Sequence, residues 1–391
     1  MLVPLLLICG AVGSAAIVAY GTSAQLAQFA HGIQIIIISR RLEWPMVGLS
    51  LALSGVLLGI TISGRRSVWW LLGLGPVLAL FVRGFSATYH PAAALLDAPQ
   101  FVAADQVDAN ALANLYVVGL VFDSKPYAVP YRALADAPVI LLSAFQKRAL
   151  LIWSMTANRA VLLPLERDTP PREIEVVSRP ADSLLLFDTR LGQFIVGVTG
   201  RTVSGGIPVG FGVSIPVHKM RFADWTRLHP DTLVMNTNTK GVTTADDPVL
   251  PSLKFPLAPS SLGGETRIGI LATTEPTAVL SDMALDRPMN VQAGEVRILL
   301  ERDPKTKALR AFDRHLKEDL FLTLRPLARI PRGHPEAAMV DSDTQSLWTL
   351  DGRAVDGPLK GERLGEIAVD DGLYWGVMKF WMPNLKLISS Q

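Results

Sequence analysis

Three long stretches without a charged side chain lie within the first 84 residues, and no other feature limits the folding of this 391-residue chain as strongly. The first twenty residues, MLVPLLLICGAVGSAAIVAY, match the ~20 needed to cross a ~30 Å hydrocarbon layer. Trp44 to Ser63 is a second run of that length, and Val68 to Val82 is a shorter third. Inside lipid every backbone N–H and C=O must bond internally, so such runs are expected as helices. Trp44, Trp69 and Trp70 stand at run ends, where indoles favour the headgroup region. The Gly64-Arg65-Arg66 stretch is short enough only for a helical hairpin. The pattern therefore predicts a membrane anchor over 1–84 with spans at about 2–20, 44–63 and 68–82. The soluble alternative, three helices buried in one large core, needs charge-free runs that water-soluble proteins rarely contain. A cleaved signal peptide over 1–20 lacks its usual basic flank, because no Lys or Arg precedes Leu2. An uncleaved anchor is the expectation.

The segment Gly21 to Arg41 fits neither solvent. Gln25, Gln28, His31 and Gln34 are too polar for lipid, and Ile35 to Ile38 too apolar for open water. It is expected along the interface or against another subunit. Charge leaves the orientation tied, with Arg65, Arg66 and the chain amine on one side and Arg40, Arg41 and Arg83 on the other.

The anchor also explains the charge balance. Residues 1–84 hold five of the 37 basic residues and one of the 35 acids, so the remainder is net −2. A near-neutral body offers no electrostatic footprint for nucleic acid. One cysteine, Cys9, excludes an intrachain disulfide, a CxxC pair and a thiolate cage.

From about Pro91 the apolar runs shorten to five to nine residues bounded by Pro, Gly, Asp and Asn. Leu115 to Phe122, Val139 to Leu142, Leu184 to Phe187, Phe194 to Val198, Arg267 to Leu271 and Val296 to Leu300 read as strands. Phe222 to Leu228 and Leu373 to Trp381 read as short helices. The runs also repeat. Leu115 to Val129 resembles Thr266 to Val279, each a strand, a turn with Pro126 or Pro276, and a return strand. Val139 to Trp153 resembles Val296 to Phe312. Gly200, Pro208 and Trp225 line up with Gly352, Pro358 and Trp375, the last two pairs both 150 positions apart. The expected fold is three N-terminal transmembrane α-helices followed by a mainly β body of two related β units with a few short helices. The expected divisions are an 85–98 linker, a first repeat at 99–235, a connecting segment at 236–264 and a second repeat at 265–391.

Residues 99–391 resemble the family of bacterial and archaeal proteins called DUF3179. The resemblance rests on Pro99-Gln-Phe-Val-Ala-Ala-Asp-Gln-Val-Asp108, His229-Pro-Asp-Thr-Leu-Val234 and Lys254-Phe-Pro-Leu257. Its best part is Asp343-Thr-Gln-Ser-Leu-Trp348 with Asp351-Gly-Arg-Ala-Val-Asp-Gly-Pro-Leu-Lys-Gly361. It implies a duplicated β architecture, an exported body and a cysteine pair in the strand corresponding to Pro138–Arg148. Here that strand reads PVILLSAFQKR, and neither Ser143 nor Gln146 replaces a thiolate. The chain reads as a divergent member without the pair.

Chemistry is sparse. His31, His90, His218, His229, His315 and His334 show no i, i+3 or i+4 spacing and no HExxH, so no metal is expected. No Gly-x-Ser-x-Gly elbow positions a nucleophile, and neither a catalytic residue nor a cofactor is assigned. The glycine string Ser204 to Gly212 lacks a P-loop ending and reads as turns. Asp343, Trp348 and Asp351, with Asp188 and Arg190 in the first repeat, are the ligand or partner candidates; the competing reading is an Asx turn beside a buried indole. Asp246-Asp247 reads as a solvated loop. Arg40, Arg41, Arg65 and Arg66 are assigned to lipid headgroups. The expected function is a non-catalytic, membrane-anchored accessory subunit docking on a larger membrane complex. The alternatives are a small-ligand module between the β units, or a hydrolase or redox enzyme using Asp and His. The expected location is the bacterial inner membrane with the body outside the cytoplasm.

Overall fold

A charge-free chain of Leu, Ala, Val and Ile has no route to satisfy its backbone except helix, and helix α1 occupies Leu2–Tyr20. The computed structural model describes residues 2–64, 67–86, 95–97, 99–108, 112–113, 115–144, 147–154, 157–166, 173–215, 217–236, 262–273, 277–284, 287–303, 309–317 and 320–388. Arg65, Arg66, His90, Gln146, Asp246, Asp247, Lys254 to Leu257 and Pro276 lie outside them. Helix α2 runs unbroken from Gly32 to Ile62, straight through Pro45. A 3₁₀ turn at Val68–Gly73 leads into α3 (Leu74–Ser86). All three segments are long and apolar enough to cross a membrane. Small residues bring them close. A methyl on Gly10 would meet Leu53 at 2.8 Å, and one on Gly73 would meet Ile8 at 2.5 Å. Ser50 Oγ donates to the Ala11 carbonyl at 2.9 Å, tying α2 to α1.

The 31 residues of α2 measure about 46 Å, some 16 Å more than the hydrocarbon layer. The surplus is used on the chain's own body. Ile36 is fully buried with Ile33 and Ile37 in an apolar cluster holding Val177, Leu185, Phe194 and Val196, and also Trp375, Val377 and Met378. Ser178 Oγ donates to the Thr22 carbonyl at 2.6 Å. The segment 21–41, expected along the interface or on another subunit, is thus folded against the β body, which gives its isoleucines a dry face.

The body is built from ladders that occur twice. In the first set, β12 (Val217–Arg221), β3 (Tyr116–Phe122), β4 (Lys125–Pro130) and β13 (Leu233–Met235) lie in that order, with β2 (Phe101–Ala103) added at the edge. β3 is antiparallel to both neighbours and β4 is parallel to β13. In the second, β26 (Val369–Tyr374), β14 (Arg267–Leu271), β15 (Thr277–Leu280) and β27 (Lys386–Leu387) repeat the order and senses. A short helix follows the outer strand each time, α5 (Phe222–Leu228) and α6 (Trp375–Trp381); the remaining one, α4 (Tyr131–Asp136), follows β4. Next, β5 (Val139–Ala144), β6 (Lys147–Ser154) and β7 (Arg159–Leu165) form a meander whose β5 edge pairs with β1 (Leu95–Asp97). Their match is β16 (Met289–Ala293), β17 (Val296–Arg302), β18 (Leu309–Asp313) and β25 (Gly365–Ile367). Third, β8 (Ile174–Ser178), β9 (Leu185–Asp188), β10 (Gln193–Val196) and β11 (Arg201–Thr202) match β21 (Leu324–Pro326), β22 (Met339–Asp341), β23 (Leu347–Trp348) and β24 (Ala354–Asp356). A hairpin of β19 (His315–Lys317) and β20 (Leu320–Phe321) occurs in the second set.

Register corrects two of the sequence pairings. Arg221 faces Tyr116, and Tyr374 faces Arg267, so Phe222 corresponds to Trp375 and Trp225 to Met378. The 150-residue spacing of the tryptophans is off by three. Likewise β5–β6 corresponds to β16–β17, so Val139 to Trp153 matches one strand earlier than Val296 to Phe312. Val129 and Val279 do correspond, facing Val118 and Gly269. The two units meet along β26. Asp370 pairs with Arg159 and Lys219, each at 2.8 Å, and Lys219 Nζ also donates to the Asn158 and Asp371 carbonyls.

Because Ile36 reaches both units, truncating it loosens foot and body together. Ile36→Ala is expected to cost about 2–5 kcal/mol in thermal unfolding of the detergent-solubilised chain, and Ile38→Ala, on the exposed face, less than about 0.5 kcal/mol.

Candidate functional site

The residues singled out by sequence divide between two structural centres and one cleft. Asp188 ends β9, is fully buried, and accepts from the backbone N–H groups of Arg190 and Leu191 at 3.1 and 3.0 Å and from Gln193 Nε2 at 3.2 Å. Its counterpart is Asp341, at the end of β22. Asp341 accepts from the N–H groups of Asp343, Thr344 and Ser346, from Thr344 Oγ1 at 2.9 Å and from Trp348 Nε1 at 2.9 Å. The Asx turn is duplicated; the buried indole belongs to the second copy, where Trp348 Nε1 donates, while Gln193 Nε2 donates in the first. A short strand ending in Asp just before a turn, Leu-Phe-Asp188 and Met-Val-Asp341, was the legible signal. Asp343 is peripheral and accepts the Thr323 N–H at 3.0 Å. Arg190 is exposed, with Glu173 at 3.9 Å.

Arg40 and Arg41, assigned to headgroups, have protein partners. Arg40 is shared between Glu43 and Glu175 and sits over the Phe187 ring. Arg41 donates to the Gly192 carbonyl at 3.1 Å and sits over Phe194.

Asp351 belongs to a different place. With Thr349, whose hydroxyl it accepts, it lines a cleft of about 600 Å³ in the second unit, together with Asp303, Arg310, Ile330 and Glu336. Beside Arg310 lies Glu301, which sequence reading passed over as the polar end of an apolar strand. Glu301 is fully buried, and neither carboxylate oxygen accepts a hydrogen bond among the described residues. Arg310 Nη1 stands 3.8 Å from Oε1, but that guanidinium also serves Glu366 at 3.2 Å and lies over Phe312. Burial pushes the Glu301 carboxyl up to about 7; Arg310 opposes the rise, while Asp303, Asp351 and Glu366 add to it.

The duplication supplies a control. Leu162 faces Ile215 and Ala311 faces Ile367, which equates β7 with β18 residue by residue. Stepping along the ladders, the facing pair Glu301–Arg310 stands where the first unit has Ile152–Val161, both buried. The fold therefore closes without any charge at this position. The cleft is lined by the Arg310 guanidinium and three acids, Asp303, Glu336 and Asp351, with the buried Glu301 carboxyl behind Arg310, an arrangement suited to binding a polar ligand.

Two measurements follow. Asp341→Asn leaves donors without acceptors and is expected to cost about 2–4 kcal/mol, against less than about 1 kcal/mol for Asp343→Asn, in unfolding by denaturant. For Glu301 the folded value lies above the unfolded one, so its favourable contribution is complete below about pH 4.5 and is lost as pH rises towards 7. The loss amounts to about 3 kcal/mol. Glu301→Gln is expected to remove that slope from the melting temperature between pH 5 and 8. The double change Glu301→Ile with Arg310→Val, copying the first unit, is expected to be neutral or stabilising above pH 7.

No curated protein and no solved structure shows significant similarity to this chain. A family model described as a protein of unknown function, DUF3179, matches residues 91–384, most of the chain and every strand of the three pairs of repeated ladders except β27. The duplicated β body carried on three apolar helices is thus that of a chain belonging to the DUF3179 family.

Proposed function

We propose that this chain is a membrane-anchored, non-catalytic accessory subunit that holds its β body at a fixed height and orientation above the bilayer for a partner membrane complex. The observation carrying the reading is α2, one rigid helix whose first third is buried in both β units and whose remainder is apolar. A flexible linker would suffice to keep an enzyme near a membrane. A helix continuous with the span and locked by Ile36, Arg40 and Arg41 suits a body that must meet a partner in one pose. The outward faces of the three helices are mostly unburied, α3 above all, leaving apolar surface for lipid or partner helices. The location proposed is the bacterial inner membrane with the body on the extracytoplasmic side. The Tyr20, Gly32 and Ser86 helix ends then share the body's side, and the Ile62 and Val68 ends lie opposite, towards the cytoplasm.

The cleft over Glu301 favours a second reading, a small-ligand module. It lies within the second unit, whereas the seam between units carries the ion pairs of Asp370 with Arg159 and Lys219.

Purification of the tagged full chain from its native membranes in mild detergent distinguishes the two. A membrane protein recovered in constant ratio supports the accessory role. Monomer alone, combined with a ligand-induced rise in melting temperature that Glu301→Gln abolishes, assigns the cleft instead.

A further inference from the structure

The first β unit carries exposed apolar residues on a loop whose match in the second unit, among the described residues, does not expose them. Ile207, Val209 and Val213, in the loop between β11 and β12, are 52%, 69% and 73% exposed, and Leu191 in the β9–β10 turn is 42% exposed. Exposed apolar residues gathered in this way mark an interaction surface. The matching loop between β24 and β25 buries its Leu359 and presents Lys360 and Arg363. Duplication of the fold therefore does not require the apolar exposure.

Contacts fix where this surface lies. Arg41 of α2 donates to the carbonyl of Gly192, directly beside Leu191. The next residue, Gln193, clamps the loop from both sides of its amide: Nε2 donates to the Val209 carbonyl and Oε1 accepts the Val209 N–H, both at 2.9 Å. Trp44, 70% exposed, opens the apolar part of α2 three residues beyond Arg41, a rise of about 4.5 Å. From Trp44 to Ile62 the helix measures about 28 Å, the thickness of the hydrocarbon layer. Leu191 and Val209 are thus tied to the level at which α2 leaves the body for lipid. Between Thr189 and Ile215 the chain contains Arg190 and Arg201 and no acidic residue, which suits anionic headgroups.

We propose that Leu191 and the Ile207–Val213 loop rest in the headgroup layer, a contact with the bilayer additional to the three helices. The occupant is lipid rather than protein because the surface continues that of the spans at their own height. It stabilises the body against tilting about α2, whose other body contacts lie farther from the membrane. The proposal rests on the three helices being spans, and the test separates the two ideas.

The single cysteine makes that test clean. In a Cys9→Ser background, spin labels are placed one at a time through Val209→Cys and Val213→Cys, with Leu58→Cys as the lipid reference and Lys317→Cys as the aqueous one. The full chain is reconstituted in nanodiscs of phosphatidylcholine and phosphatidylglycerol. Labels at 209 and 213 are expected to show a ratio of oxygen to nickel-chelate accessibility several-fold above that at 317 and nearer that at 58. Values at 209 and 213 equal to those at 317, with 58 lipid-like, overturn the loop contact alone. A water-exposed label at 58 overturns the spanning helices and the loop contact with them.

Discussion

The structure depends on one helix serving two solvents. The apolar faces of α2 differ: Ile33, Ile36 and Ile37 need a protein core, whereas the residues beyond Trp44 need lipid or other helices. Had the surplus of α2 been polar, the body would swing on a loop. Because it is apolar it must be covered, and among the described residues the face that covers it is the junction where Val177, Leu185 and Phe194 of the first unit meet Trp375 and Met378 of the second. Covering it fixes the foot to both units at once. Arg40 completes the arrangement at the end nearest the bilayer, where its charge is met by Glu43 and Glu175.

Duplication makes the rest of the body interpretable, because each unit reports what the other does not require. The buried aspartates Asp188 and Asp341 recur, so they belong to the fold, each gathering the orphan N–H groups of a tight turn. Gly200 and Gly352 recur too, both with positive φ at the corner after the third strand of that sheet, where a methyl would meet Val161 in one unit and Phe312 in the other. Glu301 and the exposed Val209 loop do not recur. Neither is demanded by folding, and a buried carboxylate without hydrogen bonds is a cost that an isoleucine avoids in the sister unit. Departures of this kind are where a duplicated protein is expected to carry function.

Much of this was legible from the chain. Charge-free runs located the helices, and the runs at Leu115, Val139, Arg267 and Val296 located strands, because burial on a pleated face demands apolar, β-branched residues. Phe222 to Leu228 is the helix expected, residue for residue. The junction was not legible, since the isoleucines of α2 find partners more than a hundred positions away, and period alone cannot tell a protein groove from a membrane. Trp225 and Trp375 misled because spacing in sequence ignores changes in length between the two copies, of which the bulge where β14 and β26 shift register between Ile268 and Ile270 supplies one residue of the three. Glu301 stayed hidden for a related reason. A Glu closing an apolar run ordinarily points to water, and only the ladder places it behind Arg310.

The same geometry limits what the body does. Ile36 and Arg41 lock the body to a helix whose remainder is apolar and long enough to cross a membrane, so body and helix move as one. The Val209 loop is tied through Gln193 and Gly192 to Arg41, three residues from Trp44, while Glu301 and Asp351 belong to the second unit, whose described contacts with α2 come through α6 and its neighbours. Burial raises the Glu301 carboxyl into the neutral range, whereas nothing comparable happens in the first unit, where Ile152 and Val161 fill the same space. The two units therefore differ where the fold leaves them free to differ, one exposing an apolar loop tied to α2 and the other burying a carboxyl beside a cleft, a division that a single unjoined copy of the fold has no means to make.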